Sequence, residues 1–148
     1  GTRLPSLKLP ALIAAHAAAH ARGDRAEEVR LLDLLTEAAE THDLATELRF
    51  TRAQAIATGR EQVFELDLRE RRWTSAGKRE GRIDATLEII ATSAREERPA
   101  LDVAAVRFFP DGAATGGRFV LKRGDAAWRI DVAWLTGEVT LRRGEGEP

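Results

Sequence analysis

This sequence has no cysteine, almost no net charge, and no apolar stretch long enough to cross a bilayer. The missing cysteines exclude a disulfide framework and thiolate metal sites, while leaving the compartment open. Its 23 basic and 24 acidic residues nearly cancel, so bulk charge steers it towards neither nucleic acid nor an anionic membrane. The longest uncharged run, Leu9 to Ala21, falls short of the ~20 residues of a spanning helix and is mostly alanine. Position 1 is not Met, and Gly1-Thr2 reads as a truncation point or a cloning remnant. What is present is 148 residues, enough for one domain with a core of ordinary size.

The chain is organised around the stretch from Asp24 to Ala57. Leu31, Leu34, Ala38, Thr41, Ala45, Leu48 and Ala55 recur at steps of three and four, with Arg52 breaking the pattern. That spacing puts them on one helical face, and Ile56 completes the expected packing set. The other side carries Glu28, Asp33, Glu37, Glu40, Asp43 and Glu47, which water can solvate. Asp24 suits the N-cap, and Glu27 can reach back to it. Such a helix is roughly 50 Å long at 1.5 Å per residue. One small sheet cannot cover it, so the rest is expected on another protein.

Before it, Pro10 to Arg22 predicts a short helix stopped by Gly23. After Gly59 the apolar period changes from 3.6 to 2. Phe64, Leu66 and Leu68 predict a strand that returns through Trp73 over a turn at Arg69-Glu70-Arg71, and residues 76–81 read as a polar loop. Ile83, Ala85, Leu87 and Ile89 predict a further strand, and Ala94 to Pro99 a charged loop. Leu101 to Phe109 predicts another strand, with a bulge at Ala104-Ala105. Phe119 and Leu121 begin the next one. Trp128, Ile130, Val132 and Trp134 alternate with polar or small residues, and Thr136-Gly137 turns the chain into Val139-Thr140-Leu141. A long N-terminal helix followed only by short antiparallel strands is an α+β fold. The expected division is a lead-in with a short helix at 1–23 and one domain at 24–141 (helix 24–57, β region 61–141). A frayed tail follows at 142–148.

Little in this pattern points to chemistry. His16 and His20 share a face four residues apart, a spacing that could hold a metal, but no acidic residue lies between Pro10 and Gly23 to complete the set. They read as solvated histidines. The loop Pro110 to Gly117 is glycine-rich, yet Arg118-Phe119-Val120-Leu121 follows it where a phosphate loop needs Lys-Ser or Lys-Thr opening a helix. Its glycines read as backbone devices: Pro110-Asp111-Gly112 for a tight turn, Gly116-Gly117 for positive φ. Asp102 and Asp111 lack the spacing of a calcium loop. Ser6, Ser75 and Ser93 have no histidine close in sequence, and Glu96-Glu97 sits in a solvated charge run. No enzyme, cofactor or metal is expected. Trp128 and Trp134 fall in phase with Ile130 and Val132 and are expected in the core rather than on a stacking platform, with Trp73 in a weaker strand.

Three separated segments carry a resemblance. Leu48-Arg49-Phe50-Thr51-Arg52-Ala53-Gln54-Ala55-Ile56 with Gly59-Arg60 and the strand Phe64 to Leu68 is similar to type II secretion minor pseudopilins of the H type, relatives of certain minor type IV pilins. Arg107-Phe108-Phe109-Pro110-Asp111-Gly112-Ala113-Ala114-Thr115-Gly116-Gly117-Arg118 resembles that family's FFPDG…TGG signature. Val132-Ala133-Trp134-Leu135-Thr136-Gly137-Glu138-Val139 resembles its closing hairpin. The resemblance covers about residues 45 to 141 in order.

The resemblance implies a structural subunit of the periplasmic pseudopilus that drives protein export across the outer membrane. Its implied partners are other minor pseudopilins and the major pseudopilin. Mature members begin with a Phe-Thr-Leu-x-Glu type sequence that runs into an apolar helix in the inner membrane, with the head in the periplasm. Gly1-Thr2-Arg3-Leu4-Pro5 lacks that glutamate and no spanning segment follows, so the membrane half is expected to have been removed. The competing reading is a minor type IV pilin that contributes to pilus assembly or binds DNA. DNA binding needs clustered cations, and Arg71-Arg72, Lys78-Arg79 and Arg142-Arg143 have Glu70, Glu80, Glu145 and Glu147 close by. DNA is therefore not the expected partner unless the fold segregates the two signs. A stand-alone lectin sandwich would leave the long helix unexplained.

Overall fold

Two helices come first in the computed structural model, which describes residues 9–94, 102–124 and 126–143. Helix α1 spans Leu9–Ala21 and α2 spans Arg25–Thr58. Between them Gly23 N–H donates to His20 O and Asp24 N–H to Ala19 O, both at 3.0 Å, closing α1. Asp24 caps α2 by accepting from the Glu27 amide at 3.1 Å. The Glu27 carboxylate does not reach back. It pairs instead with Arg30 at 2.6 Å. Gly59 in a left-handed conformation ends α2.

The described residues after α2 form two four-stranded antiparallel sheets and their connections. Strands β1 (Gln62–Asp67), β2 (Arg72–Thr74), β3 (Glu80–Arg82) and β5 (Val103–Phe108) give the order β3-β2-β1-β5. Strands β4 (Glu88–Ser93), β6 (Gly117–Arg123), β7 (Ala126–Val132) and β8 (Val139–Arg143) give β4-β6-β7-β8. The large core lies where both sheets meet the second half of α2. It joins Leu44, Ala45, Leu48 and Ala55 to Phe64, Leu66, Val106, Phe108, Phe119, Leu121 and Ile130. Phe64 and Phe119 meet edge to face across the sheets, with ring centres 5.9 Å apart.

A second, smaller cluster covers the first half of α2. Leu12 and Ala19 of α1 pack on Leu31, Leu34 and Ala38, with Ala126 and Trp128 beneath. The part of α2 expected on another protein is thus covered by the chain's own first helix. Gly23 lets α1 fold back so that its leucine and alanine side chains replace an external partner there.

Several expectations are corrected. Ile56 is 46 % exposed, because it sits about 100° around the helix from the buried Ala55. Glu37 and Glu47, placed on the solvated side, are buried, since sheets and loops wrap α2 more widely than one apolar stripe. Trp134 is 69 % exposed, because β7 ends at Val132 and the alternation stops with it. Residues 83–87 are not strand: the Asp84 carboxylate accepts from Thr86 N at 2.8 Å and turns the chain, although Ile83 and Leu87 are buried. Glu80 and Gly81, read as the end of a loop, belong to β3 on β2. No bulge interrupts β5, whose register with β1 is continuous from Gln62↔Phe108 to Asp67↔Val103. Its slipped phase comes from Ala105, buried on the other face with its amide 3.3 Å from Ser93 Oγ. Strand β8 takes Arg142 and Arg143 out of the expected tail. The expected loop at 94–99 lies outside the described residues apart from Ala94, as do Ser6 and residues 144–148.

Candidate functional site

The two glycine-containing motifs come together at the C-terminal end of α2. Phe108 ends β5 fully buried, and Phe109 N–H donates to Ala113 O at 2.9 Å, with Gly112 N–H donating to Phe109 O at 2.8 Å. The Asp111 carboxylate accepts from Ala113 N at 3.0 Å, so this aspartate closes a turn and has a structural partner. Thr115 N–H donates to Arg107 O, and Thr115 Oγ1 accepts from Arg107 N, both at 3.0 Å. Pro110 is exposed at the loop tip. The second motif is the turn from Ala133 to Glu138, closed by Ala133 N–H to Glu138 O and Gly137 N–H to Ala133 O at 2.9 Å each.

Ala114 N–H donates to Trp134 O at 3.1 Å and links the two turns. Arg52 locks them. Its Nε donates to Gly112 O at 3.0 Å and to Thr136 O at 3.1 Å, one carbonyl from each motif. One turn earlier on the helix, Arg49 Nη2 donates to Val139 O at 3.0 Å. Arg52 is the residue that broke the apolar stripe in the sequence, and the break marks the position where the helix holds the motifs rather than the core. A side chain at Gly137 (φ 69°) would overlap the Gly112 carbonyl. Of the pair Gly116-Gly117, only Gly116 has positive φ, 84°. Gly117 is extended strand, and its constraint is space: an added Cβ would lie 3.0 Å from Val106 Cγ2 and 3.2 Å from Thr92 O.

The product of this locking is an exposed pair, Trp134 at 69 % and Leu135 at 70 %, held on a turn with a fixed backbone. Trp134 also edges a shallow recess with Thr115, Gly116, Gly117 and Arg118. The same turn also contributes to a second recess of about 510 Å³, lined by Arg49, Arg52, Thr136, Glu138 and Val139.

The other candidate groups lie apart from this end. Ser75 Oγ donates to the buried Glu47 carboxylate at 2.9 Å, which also accepts from Arg79 Nε at 3.0 Å. Arg79 lies 4.5 Å over the Phe50 ring. This cluster, unseen in the sequence, pins the β2–β3 turn to α2. His20 Nδ1 lies 2.9 Å from Glu28 Oε1, and His16 Nε2 lies 4.0 Å from the same oxygen. The acidic neighbour missing from α1 is thus supplied by α2. Among the described residues no three such groups gather to hold a metal ion. Glu37 is fully buried, and neither carboxylate oxygen has a hydrogen-bond partner. Burial pushes its pKa up to about 7, with the Arg123 backbone and the Arg143 charge offsetting only part of the effect.

Strand alternation gathers Arg118, Lys122, Arg129 and Arg142 on the face of the second sheet turned away from α2. Asp131 shares that face and pairs with Arg118 at 2.7 Å and Arg129 at 2.9 Å. Glu88 stands opposite Lys122 in register. No described helix is long and apolar enough to cross a membrane.

Comparison with known proteins gives a consistent set. The family model described as type II transport protein GspH matches residues 40–137. Type II secretion system protein H of Xanthomonas campestris is 50 % identical over 96 residues, 65 % of this chain. The chain spans 57 % of the length of that relative. The minor pseudopilin EpsH from the type 2 secretion system of Vibrio cholerae superposes with a TM-score of 0.58 at 14 % identity, over 72 % of this chain and 96 % of that one. The type IV minor pilin FimU of Pseudomonas aeruginosa superposes with a TM-score of 0.56 at 14 % identity, over 72 % and 87 %. At that identity the two structures establish a shared fold alone.

Proposed function

Because this chain belongs to the GspH family of type II transport proteins, we propose that it works as a minor pseudopilin, a structural subunit of the pseudopilus in type II secretion. The observation that carries this reading is the Arg52 lock. Both motifs that resemble the family's are folded into one unit on the end of α2, and what that unit offers to solvent is an apolar pair on a closed turn. The geometry serves docking rather than turnover: the motif aspartate and threonine hold backbone, and Ser75 is engaged by Glu47. The role is structural, without a catalytic step.

Its partners in this reading are other minor pseudopilins and the major pseudopilin. Attachment to the inner membrane falls to a helix outside this sequence, with the domain described above in the periplasm. The test is to mix this chain with soluble heads of the sibling pseudopilins and follow complex formation by ultracentrifugation. A stoichiometric complex with at least one sibling is expected.

The second reading, a minor type IV pilin that binds DNA, is favoured by one observation, the shared face of Arg118, Lys122, Arg129 and Arg142. Asp131 engages two of those four, which lowers the charge available to phosphates. Saturable, salt-sensitive binding to duplex DNA with no complex to any sibling would replace the first reading by this one.

A further inference from the structure

We propose that the recess between Arg49, Arg52 and the β7–β8 turn, with Leu135 and Trp134 beside it, is the docking site for a carboxylate-bearing apolar segment of a neighbouring subunit. This rests on the pseudopilin reading above and names the surface through which it would act.

The argument starts from the donors. A guanidinium has five N–H groups. Among the described residues, Arg49 donates one of them to Val139 O, while Arg52 uses Nε for Gly112 O and Thr136 O. Among the described residues neither forms an ion pair, in contrast to Arg30, Arg72, Arg79, Arg107, Arg118 and Arg129, each of which lies against a carboxylate. Glu138 lines the same recess without pairing to either arginine, so the site keeps an excess of one positive charge. Arg71 is likewise held by turn carbonyls, Asp84 O and Leu87 O. Arg49 and Arg52 differ in standing next to the exposed Trp134-Leu135 pair, and their bonds to Val139 O, Gly112 O and Thr136 O fix their direction, which lowers the ordering cost when an anion arrives.

The apolar half of the site is equally fixed. Leu135 and Trp134 directly precede Thr136, whose carbonyl is held by Arg52 and whose Oγ1 accepts from Glu138 N at 3.2 Å. Large side chains that stay about 70 % exposed on an immobilised turn have the composition and rigidity of an interface anchor. Two forked cations beside a leucine and a tryptophan match one chemistry: a carboxylate with an apolar side chain next to it.

The experiment measures binding of this chain to a sibling head by calorimetry at low and high salt. Trp134→Ala and Leu135→Ser should each weaken the complex by about tenfold or more with Tm unchanged, and Arg49→Glu should weaken it at least as much, with a lowered Tm because the bond to Val139 O is lost. Arg49→Glu should also reverse the salt dependence, because the recess goes from one net positive charge to one net negative. Val29→Ser, on an exposed apolar residue at the far end of α2, should leave the Kd unchanged. If the three variants bind as well as the parent, or Val29→Ser weakens binding instead, the site is wrong while the pseudopilin reading stands. Self-association of the parent chain abolished by the same substitutions would seat a second copy there and overturn the proposal. A parent chain that binds no sibling overturns both.

Discussion

The two halves of α2 are buried in different ways. From Leu44 to Ala55 the helix lies on two sheets, and its apolar face meets a core of phenylalanine, leucine and isoleucine side chains. From Leu31 to Ala38 its cover is a single alanine-rich helix and the end of one sheet. Polar groups follow the same division. Glu47, in the first environment, accepts from Ser75 and twice from Arg79, whereas Glu37, in the second, is buried with neither oxygen bonded. Exposed apolar residues gather in the second region as well, at Ile13, Val29 and Leu32. The family match begins at residue 40, where one environment gives way to the other. A helix continuous in backbone is thus divided in energetics: one half is part of a domain, the other is a helical hairpin attached to it.

The largest test of that division is a buried charge placed in each half. Leu48→Asp puts an unpaired carboxylate among the phenylalanines and should cost about 4 kcal/mol or more, enough to unfold the chain. Leu12→Asp, though its site is as buried, should only detach α1 and leave the main thermal transition in place. Calorimetry with amide exchange separates the two results. Equal loss of the main transition in both variants would mean that α1 belongs to the same cooperative unit.

Glu37 gives the next largest effect, through pH. Its pKa is raised by burial from 4.5 to about 7 in the folded chain, so the folded state holds a proton that the unfolded state releases first. Stability from this group is therefore fully present below about pH 4.5 and lost as pH rises to about 7. Glu37→Gln mimics the protonated acid and should match the parent at pH 4. At pH 8 it should exceed the parent by about 3 kcal/mol. Parallel stability curves over that range would mean that water reaches the carboxylate, and the contrast with Glu47 would shrink.

The sequence was most legible where apolar period and burial coincide. Phe64, Leu66, Phe119, Leu121, Trp128 and Ile130 lie in the core as their alternation predicts, and Leu48 lies at its centre. It was least legible where a polar side chain has a partner far along the chain. Arg52 bonds carbonyls 60 and 84 positions away, and Glu47 finds Ser75 and Arg79 at 28 and 32. Periodicity reports which way a residue faces along its own element; it carries nothing about what another element brings to meet it. Trp134 failed for a related reason, since alternation cannot tell the last residue of a strand from the first of a turn. The motif loops were legible as a resemblance, but their joint closure by one arginine was visible only in three dimensions.

The smallest effect tests the hairpin itself. His20 is the one side chain of α1 hydrogen-bonded to α2, through Glu28 at 2.9 Å, among the bonds described, and it is 75 % exposed. An exposed pair of this kind contributes between about 0.2 and 1 kcal/mol. His20→Ala should therefore leave the main Tm unchanged, because the large core does not involve α1. Amide exchange within α1 should nevertheless accelerate, by about 1.4- to fivefold if the lost energy appears wholly in local opening. Exchange from residues 44–55 should stay as in the parent, since those amides open only with the sheets. Acceleration at both places would mean that α1 and the core open together. Acceleration at neither would assign the hold on α1 to Leu12 and Ala19 alone, with the histidine pair a consequence of docking rather than a contributor to it.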